Sequence, residues 1–250
     1  MDIFLALASG AFIGSVLGFI GAGGSMLAVP ILIYIFDFSP IVATTASLAV
    51  VCIAAVAGVI PKWRKGDVLV KEAVTVWALG LITNVGGGLL SKHIHENLIL
   101  TGFALILIFT GLSMLRAPIM DRAEKKVPFL ILVLISLTIG AITGVFGIGG
   151  GFLAIPILVL FFHTPQNKAA GTSLLIIAMN CATSLLAHHA IWHNVRWSIP
   201  LLIAATAVVI SLATSHYGAR VNAKTLRRTF AFTLFAIALF TLLETWIFPS

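Results

Sequence analysis

One glycine- and proline-containing pattern occurs twice in the chain. Residues 18–32 read GFIGAGGSMLAVPIL, and residues 144–158 read GVFGIGGGFLAIPIL. An offset of 126 positions aligns the wider stretch 14–48 on 140–174 without a gap. Apolar sequence of low complexity matches itself through Leu and Ala by chance, but five glycines and a proline in register need another explanation. We therefore expect two homologous halves.

The composition indicates where these halves reside. Of the 250 residues, 60% are hydrophobic and 9% are charged, against about 25% charged in ordinary soluble domains. The mean hydropathy is +1.14, and the apolar runs are long enough to cross a hydrocarbon core of about 30 Å. This excludes a soluble globular enzyme, a disordered chain and a nucleic-acid-binding domain. It predicts an all-α polytopic membrane protein, because helices satisfy their backbone groups within lipid.

The apolar segments predict a first membrane repeat at 1–115, a charged cytoplasmic linker at 116–127 and a second membrane repeat at 128–250. Two segments are too short to span comfortably, and each follows one of the glycine clusters. They predict glycine-broken or re-entrant short helices. The predicted segments are 3–20, 26–36, 41–60, 73–90, 98–115, 128–146, 152–162, 169–187, 199–215 and 230–248.

The charge distribution predicts the orientation. The net charge is +7, and the positive-inside rule assigns basic loops to the cytoplasm. If all three basic loops are cytoplasmic, each half crosses an odd number of times. The sequence then predicts two inverted-topology repeats with both termini outside, an arrangement typical of secondary transporters. The three loops contain Lys62, Arg64, Lys65 and Lys71, then Arg116, Arg122, Lys125 and Lys126, then Arg220, Lys224, Arg227 and Arg228.

The start of the chain predicts a first span and not a cleaved leader. It carries Asp2 and lacks the basic residues of a signal peptide.

The glycine clusters at 21–25 and 147–151 are the candidate binding site. Glycine allows a helix to break at membrane depth, and the new helix begins with unpaired N–H groups at the positive end of its dipole. Two such starts facing each other would bind an anion without a buried Lys or Arg. The alternative is tight helix packing, which we favour for the GxxxG-spaced Gly14, Gly18, Gly140 and Gly144. The candidate amides belong to Gly23, Gly24, Ser25, Gly149, Gly150 and Gly151.

Hydroxyl groups near the starts of two long helices are further candidates. Ser47 and Ser173 are equivalent in the repeat, and Thr44, Thr45 and Thr172 lie beside them. These hydroxyls would donate to an oxyanion, or they would cap a helix or bond to backbone carbonyls.

Two amides, Asn84 and Asn180, lie within apolar runs. They are expected to form interhelical hydrogen bonds.

No catalytic or metal site is predicted. No apolar span has a central Lys, Arg, Asp or Glu, which argues against a carboxylate proton relay. We expect the cysteines Cys52 and Cys181 to be buried thiols, because both lie in apolar runs. The spacing of three histidines suggests a metal site, but an interfacial loop is the favoured interpretation. These are His188, His189 and His193.

The two glycine–proline motifs, each followed by a helix start with Thr and Ser, resemble those of the TauE/SafE family of membrane permeases, and the resemblance covers essentially the whole chain. It implies a bacterial plasma-membrane carrier that moves a small sulfur-containing anion, such as sulfite or an organosulfonate, mostly outward. The two half-sites differ, because His163 and Gln166 occupy the positions of Asp37 and Pro40.

The resulting hypothesis is a secondary transporter that alternates access between its repeats. The alternative is an anion-selective channel in which the same broken helices form the filter. The expected partners are the anion, membrane lipid and a coupling proton or ion. A homo-oligomer is compatible with the sequence, whereas nucleic acid and a cofactor are not expected.

Overall fold

Every regular secondary-structure element in the described part of the chain is a helix. The computed structural model describes residues 2–20, 24–90, 94–116, 129–146, 158, 164–217 and 223–246. Within these ranges the elements are α1 (Asp2–Ile20), α2 (Gly24–Tyr34), α3 (Pro40–Arg64), α4 (Val70–Leu90), α5 (Glu96–Arg116), α6 (Phe129–Phe146), α7 (Gln166–Ala187), a 3₁₀ helix (His189–Asn194), α8 (Ser198–Tyr217) and α9 (Ala223–Trp246).

Helix length confirms the predicted class of a polytopic membrane protein. Five helices have apolar stretches of 18 residues or more, long enough to span: Asp2–Phe19, Pro40–Arg64, Val70–Leu90, Asn167–Ala187 and Ser198–Ser215. Three shorter apolar stretches lie in α5, α6 and α9. In α3 and α7, 67% of the apolar stretch is buried inside the protein, against 33–39% in the other three long helices. These two helices therefore form the centre of the bundle.

Two predicted boundaries are wrong. Helix α3 continues through Pro61 to Arg64, although its apolar run ends at Ile60. Helix α9 begins at Ala223, seven residues before the predicted Phe230. In both cases hydropathy detects only the apolar part of the helix. The polar turns that continue beyond it are helical too.

Glycines bring α1 into backbone contact with α8. A Cβ on Gly14 would lie 2.9 Å from Ala207 Cα, and one on Gly18 would lie 2.7 Å from the carbonyl oxygen of Ser211. The contacts advance in the same direction along both helices, so α1 and α8 are parallel. The predicted packing role of these two glycines is confirmed.

The same arrangement joins α4 to α6. A Cβ on Gly80 would lie 2.6 Å from the carbonyl oxygen of Ser136. Seven residues on, a Cβ on Gly87 would lie 3.3 Å from Gly144 Cα. Helices α4 and α6 are therefore parallel, and Gly144 packs as its spacing predicts. Gly140 does so too, because a Cβ there would lie 2.8 Å from the carbonyl carbon of Gly80.

At the centre, α3 and α7 cross antiparallel. Thr45 near the start of α3 contacts His188 just beyond α7, at 3.3 Å between Oγ1 and Nδ1. The Cys52 thiol donates to the Ala178 carbonyl at 3.6 Å. Cys52 and Ala178 are equivalent residues, 126 positions apart. The two helices therefore cross at matching points of their sequences.

Helices α5 and α9 are also antiparallel. The Trp246 indole donates to the Thr101 hydroxyl at 3.0 Å, and a Cβ on Gly111 would lie 2.7 Å from the Phe235 ring. Early residues of α5 thus face late residues of α9.

The turn that follows α2 contains a residue with left-handed backbone. Asp37 has φ 54°, and the Phe38 N–H donates to the Leu32 carbonyl, six residues before it, at 3.0 Å. In the second half, the Thr164 N–H donates to the Leu158 carbonyl at the same 3.0 Å. This hydrogen bond therefore recurs at the offset of the repeat.

Candidate functional site

Gly24 is the first residue of α2 and lies against α1. A Cβ there would overlap Leu17 and lie 2.8 Å from the carbonyl oxygen of Ile13. Gly24 thus permits α2 to fold back along α1, and its amide is one of those at the unpaired start of the helix. Both the binding and the packing explanations of this glycine are compatible with its position.

The other candidate amides are less well defined. Ser25 lies in the first turn of α2, and only its backbone is described. Gly23 and Gly149–Gly151 lie outside the described residues. Of the two helix starts predicted to face each other, the described residues include only the start of α2.

The two candidate serines are buried in the central helices. Ser47 in α3 donates to the Thr44 carbonyl at 2.8 Å, which is the backbone alternative foreseen from the sequence. Ser173 lies near the start of α7 and is fully buried. Its neighbour Thr172 accepts a hydrogen bond from the Leu69 N–H at 2.9 Å, so the start of α7 is held to the α3–α4 turn.

A buried amide cluster joins α4 to α7. Asn84 Nδ2 donates to Asn180 at 3.3 Å to the carbonyl and 3.4 Å to Oδ1. Ser184 Oγ donates to Asn84 Oδ1 at 2.5 Å. All three side chains are at most 1% exposed. The predicted interhelical role of Asn84 and Asn180 is confirmed, and it links one half of the chain to the other.

His188 lies in the turn that follows α7, which is compatible with the predicted interfacial loop, but its side chain is buried. Its side chain is 1% exposed, because it follows the last turn of α7 and packs between Thr45 of α3 and Gly88 of α4. His189 and His193 are exposed on the 3₁₀ helix. Among the residues that the structure describes, no three His, Cys, Asp or Glu side chains group as a metal site.

Fixed charge is nearly absent from the interior. Among the Lys, Arg, Asp and Glu side chains that the structure describes, only that of Lys62 is buried, and it lies in the last turn of α3. A cation there interacts favourably with the helix dipole. An anion held deeper in this part of the bundle would therefore depend on amides and hydroxyls.

Sequence reasoning missed two neighbouring cavities. The larger, of about 720 Å³, is apolar and lies between α1, α2 and α9. The smaller, of about 20 Å³, is lined by the hydroxyl-bearing residues Tyr34, Thr44 and Thr241. Only Thr44 had been considered. For Tyr34 and Thr241, the sequence offered only one indication, a hydroxyl-bearing residue in a largely apolar stretch.

The bundle, with five helices long and apolar enough to cross a membrane, defines a multi-pass membrane protein. The family profile "Sulfite exporter TauE/SafE" matches residues 6–241, and the chain belongs to this family. It is a transporter family, so the prediction that the chain is not an enzyme is confirmed.

Several curated relatives are similar over most of their length. A probable membrane transporter protein of Xylella fastidiosa is 30% identical over 98% of this chain and 97% of its own. One of Methanocaldococcus jannaschii is 29% identical over 85% of this chain and 84% of its own. A third, from Bacillus subtilis, is 25% identical over 83% and 85%. All three relatives are named as probable membrane transporter proteins, and none of the three names gives a substrate.

Proposed function

We propose that this protein is a secondary transporter that carries a small sulfur-containing anion, such as sulfite or an organosulfonate, out of the cell by alternating access between inverted repeats. The observation that carries this proposal is the antiparallel crossing of α3 and α7 at the equivalent residues Cys52 and Ala178. The sulfur chemistry rests on the name of the family, sulfite exporter.

The crossing supports inversion for a geometric reason. Two homologous halves in the same orientation would bring equivalent helices into the membrane in the same direction. Here α3 and α7 run in opposite directions, and so do the equivalent helices α5 and α9. The two parallel pairs are also related by the repeat. Helix α1 packs on α8, and their equivalents α6 and α4 pack on each other in the same way. Such a two-fold relation places substrate at the repeat interface in many secondary transporters.

The proposed anion site combines the amides of Gly23, Gly24, Ser25 and Gly149–Gly151 with the hydroxyls of Ser47 and Ser173. Two observations support it. Helix α2 begins at Gly24, and no buried Lys or Arg other than Lys62 lies within the described residues. Rotation of Ser47 away from the Thr44 carbonyl would free its hydroxyl for the anion.

The inverted topology makes a sharp labelling prediction. The loops that follow α3 and α7 are equivalent, and exposed positions are available in each, Lys65 and His189. In a background with Cys52→Ala and Cys181→Ala, Lys65→Cys should react with a membrane-impermeant maleimide only after lysis. His189→Cys should react in intact cells, since we place that loop and both termini outside. Reaction of both thiols from one side would overturn the inverted arrangement.

Flux into proteoliposomes tests the function itself. We expect saturable uptake of one sulfur anion from a panel of sulfite, sulfate, thiosulfate, a short sulfonate, chloride and acetate, with counterflow and with a dependence on an imposed pH gradient if protons are coupled. Ser47→Ala and Ser173→Ala should each raise KM about tenfold, because a hydrogen bond to a charged group is lost. Ser136→Ala is the matched control, since this buried serine bonds to Leu132 of its own helix.

The results also separate the carrier from a channel. Ohmic single-channel current without counterflow would identify an anion channel. Absence of flux for every anion would overturn the substrate class. Normal KM values in both serine variants would leave the carrier intact and remove the two hydroxyls from the site.

A further inference from the structure

We propose that the small cavity at the start of α3 is a second binding position for an oxygen atom, occupied by one water in this conformation and by an oxygen of the transported anion once Tyr34 moves aside. This inference rests on the proposed function for the identity of the anion. It concerns residues that the glycine-loop site does not include.

The cavity lies where one end of the bundle closes. It is lined by Tyr34 at the end of α2, Pro40 and Thr44 at the start of α3, Phe103 of α5 and Thr241 of α9. Its volume of about 20 Å³ is enough for one water molecule. Most of its lining is apolar, so a water molecule held there would depend on the hydroxyl groups of Thr44 and Thr241.

Thr241 is the strongest indication of a ligand. Its side chain is 1% exposed, and its Oγ1 has no hydrogen-bond partner among the residues that the structure describes. Buried hydroxyls are almost always bonded to protein or to ordered water. Thr241 lines the cavity, so a water or an anion oxygen there would accept a hydrogen bond from its hydroxyl.

The start of α3 makes the same position favourable for negative charge. Its N-cap residue Ser39 forms no side-chain capping bond, so the first amides of α3 are not satisfied from that side chain. The N-terminal end of a helix carries partial positive charge. Thr44 is buried one turn into the helix and lines the cavity. An oxygen bound here would have two hydroxyls and a helix dipole around it.

Tyr34 and Pro30 separate this cavity from the apolar one, because both residues line both cavities. Of the two, only Tyr34 has a side chain that can rotate, and its ring packs edge-on against Phe240 with centroids 4.8 Å apart at 86°. Phe240 is 48% exposed and lines only the larger cavity. Movement of the Tyr34 ring would therefore join a space of about 720 Å³ to the hydroxyl-lined position. Tyr34 is the gate between them.

Cysteine accessibility tests the gate without any transport measurement. In the background lacking Cys52 and Cys181, Thr241→Cys should react slowly with a small anionic thiosulfonate reagent. Adding Tyr34→Ala should raise the reaction rate at least about tenfold, whereas Tyr34→Phe should keep it low because the ring is retained. Thr110→Cys is the control, since Thr110 is fully buried in α5 and lines neither cavity. An equal rise at Thr110→Cys, or none at Thr241→Cys, overturns the gate.

Transport kinetics test the binding position. Thr241→Val should raise KM for the transported anion about tenfold with kcat unchanged, because one donor to a charged group is lost. Thr245→Val is the matched control one turn further along α9, where the hydroxyl bonds to the Thr241 carbonyl at 2.7 Å. If wild-type protein moves anions and Thr241→Val behaves like Thr245→Val, the second position is wrong. If wild-type protein moves no anion, the proposed function fails, and the accessibility rates alone decide whether an anion reaches Thr241 past Tyr34.

Discussion

Gly144→Ala should lower the unfolding temperature by about 2–12 °C relative to wild type, in detergent or in lipid nanodiscs. A Cβ at this position would overlap the carbonyl oxygen of Asn84 and lie 2.8 Å from the amide nitrogen of Gly88. Both contacts are backbone of α4, so no side chain can rotate away and the two helices must separate. Overpacking costs about 1–3 kcal/mol, and 1 kcal/mol corresponds to about 2–4 °C in a chain of this size.

Gly86→Ala is the matched control, because Gly86 lies in α4 and a Cβ there would meet nothing within 4 Å. Ala is favoured over Gly in a helix by about 1 kcal/mol, so the melting temperature should stay the same or rise slightly. Equal losses in the two variants would mean that the α4–α6 contact is not the cause of the loss at Gly144. A wild-type melting temperature for Gly144→Ala would overturn the backbone contact itself.

The helix pairs illustrate what the sequence could predict. Gly14 and Gly18 match Gly140 and Gly144 at the repeat offset, and their spacing alone predicted close packing. Hydropathy located each described span because lipid selects for apolar length. It misplaced the start of α9, where Lys224, Arg227 and Arg228 continue the helix outside the apolar stretch. Charge identifies the edge of the membrane and does not mark the end of a helix.

The candidate site was less accessible to sequence reasoning. Thr241 and Tyr34 occupy one cavity because α2 and α9 meet in space, and no short-range pattern encodes that meeting. The repeat gave no help either. Leu160 stands at the position equivalent to Tyr34 and Leu115 at that equivalent to Thr241, so neither hydroxyl recurs in the other half. The burial of His188 could not be predicted for a similar reason, since it depends on contacts with α3 and α4.

Asn84→Leu should produce the second large effect, a loss of about 1–3 kcal/mol in the free energy of unfolding. Leu has a similar branched shape but is larger, and it removes both the donor to Asn180 and the acceptor for Ser184. Asn180 would then keep a buried side chain with one partner fewer. Thr75→Val is the control on the same helix, because its exposed hydroxyl bonds only to Lys71 one turn before it, and it should change stability by less than about 0.5 kcal/mol.

A double-mutant cycle with Ser184→Ala separates the hydrogen bond from packing. If Ser184 stabilises the bundle through Asn84, its removal should cost little once Leu occupies position 84, giving a coupling energy of about 1 kcal/mol. Strictly additive losses would mean that the two residues act independently and that the short contact between them contributes nothing. Because Asn84 and Ser184 belong to different halves of the chain, a measured coupling would identify this amide cluster as a point where the halves are held together. A transporter that rocks one half against the other would then have to pivot about α4 and α7 here, or break these bonds in each cycle.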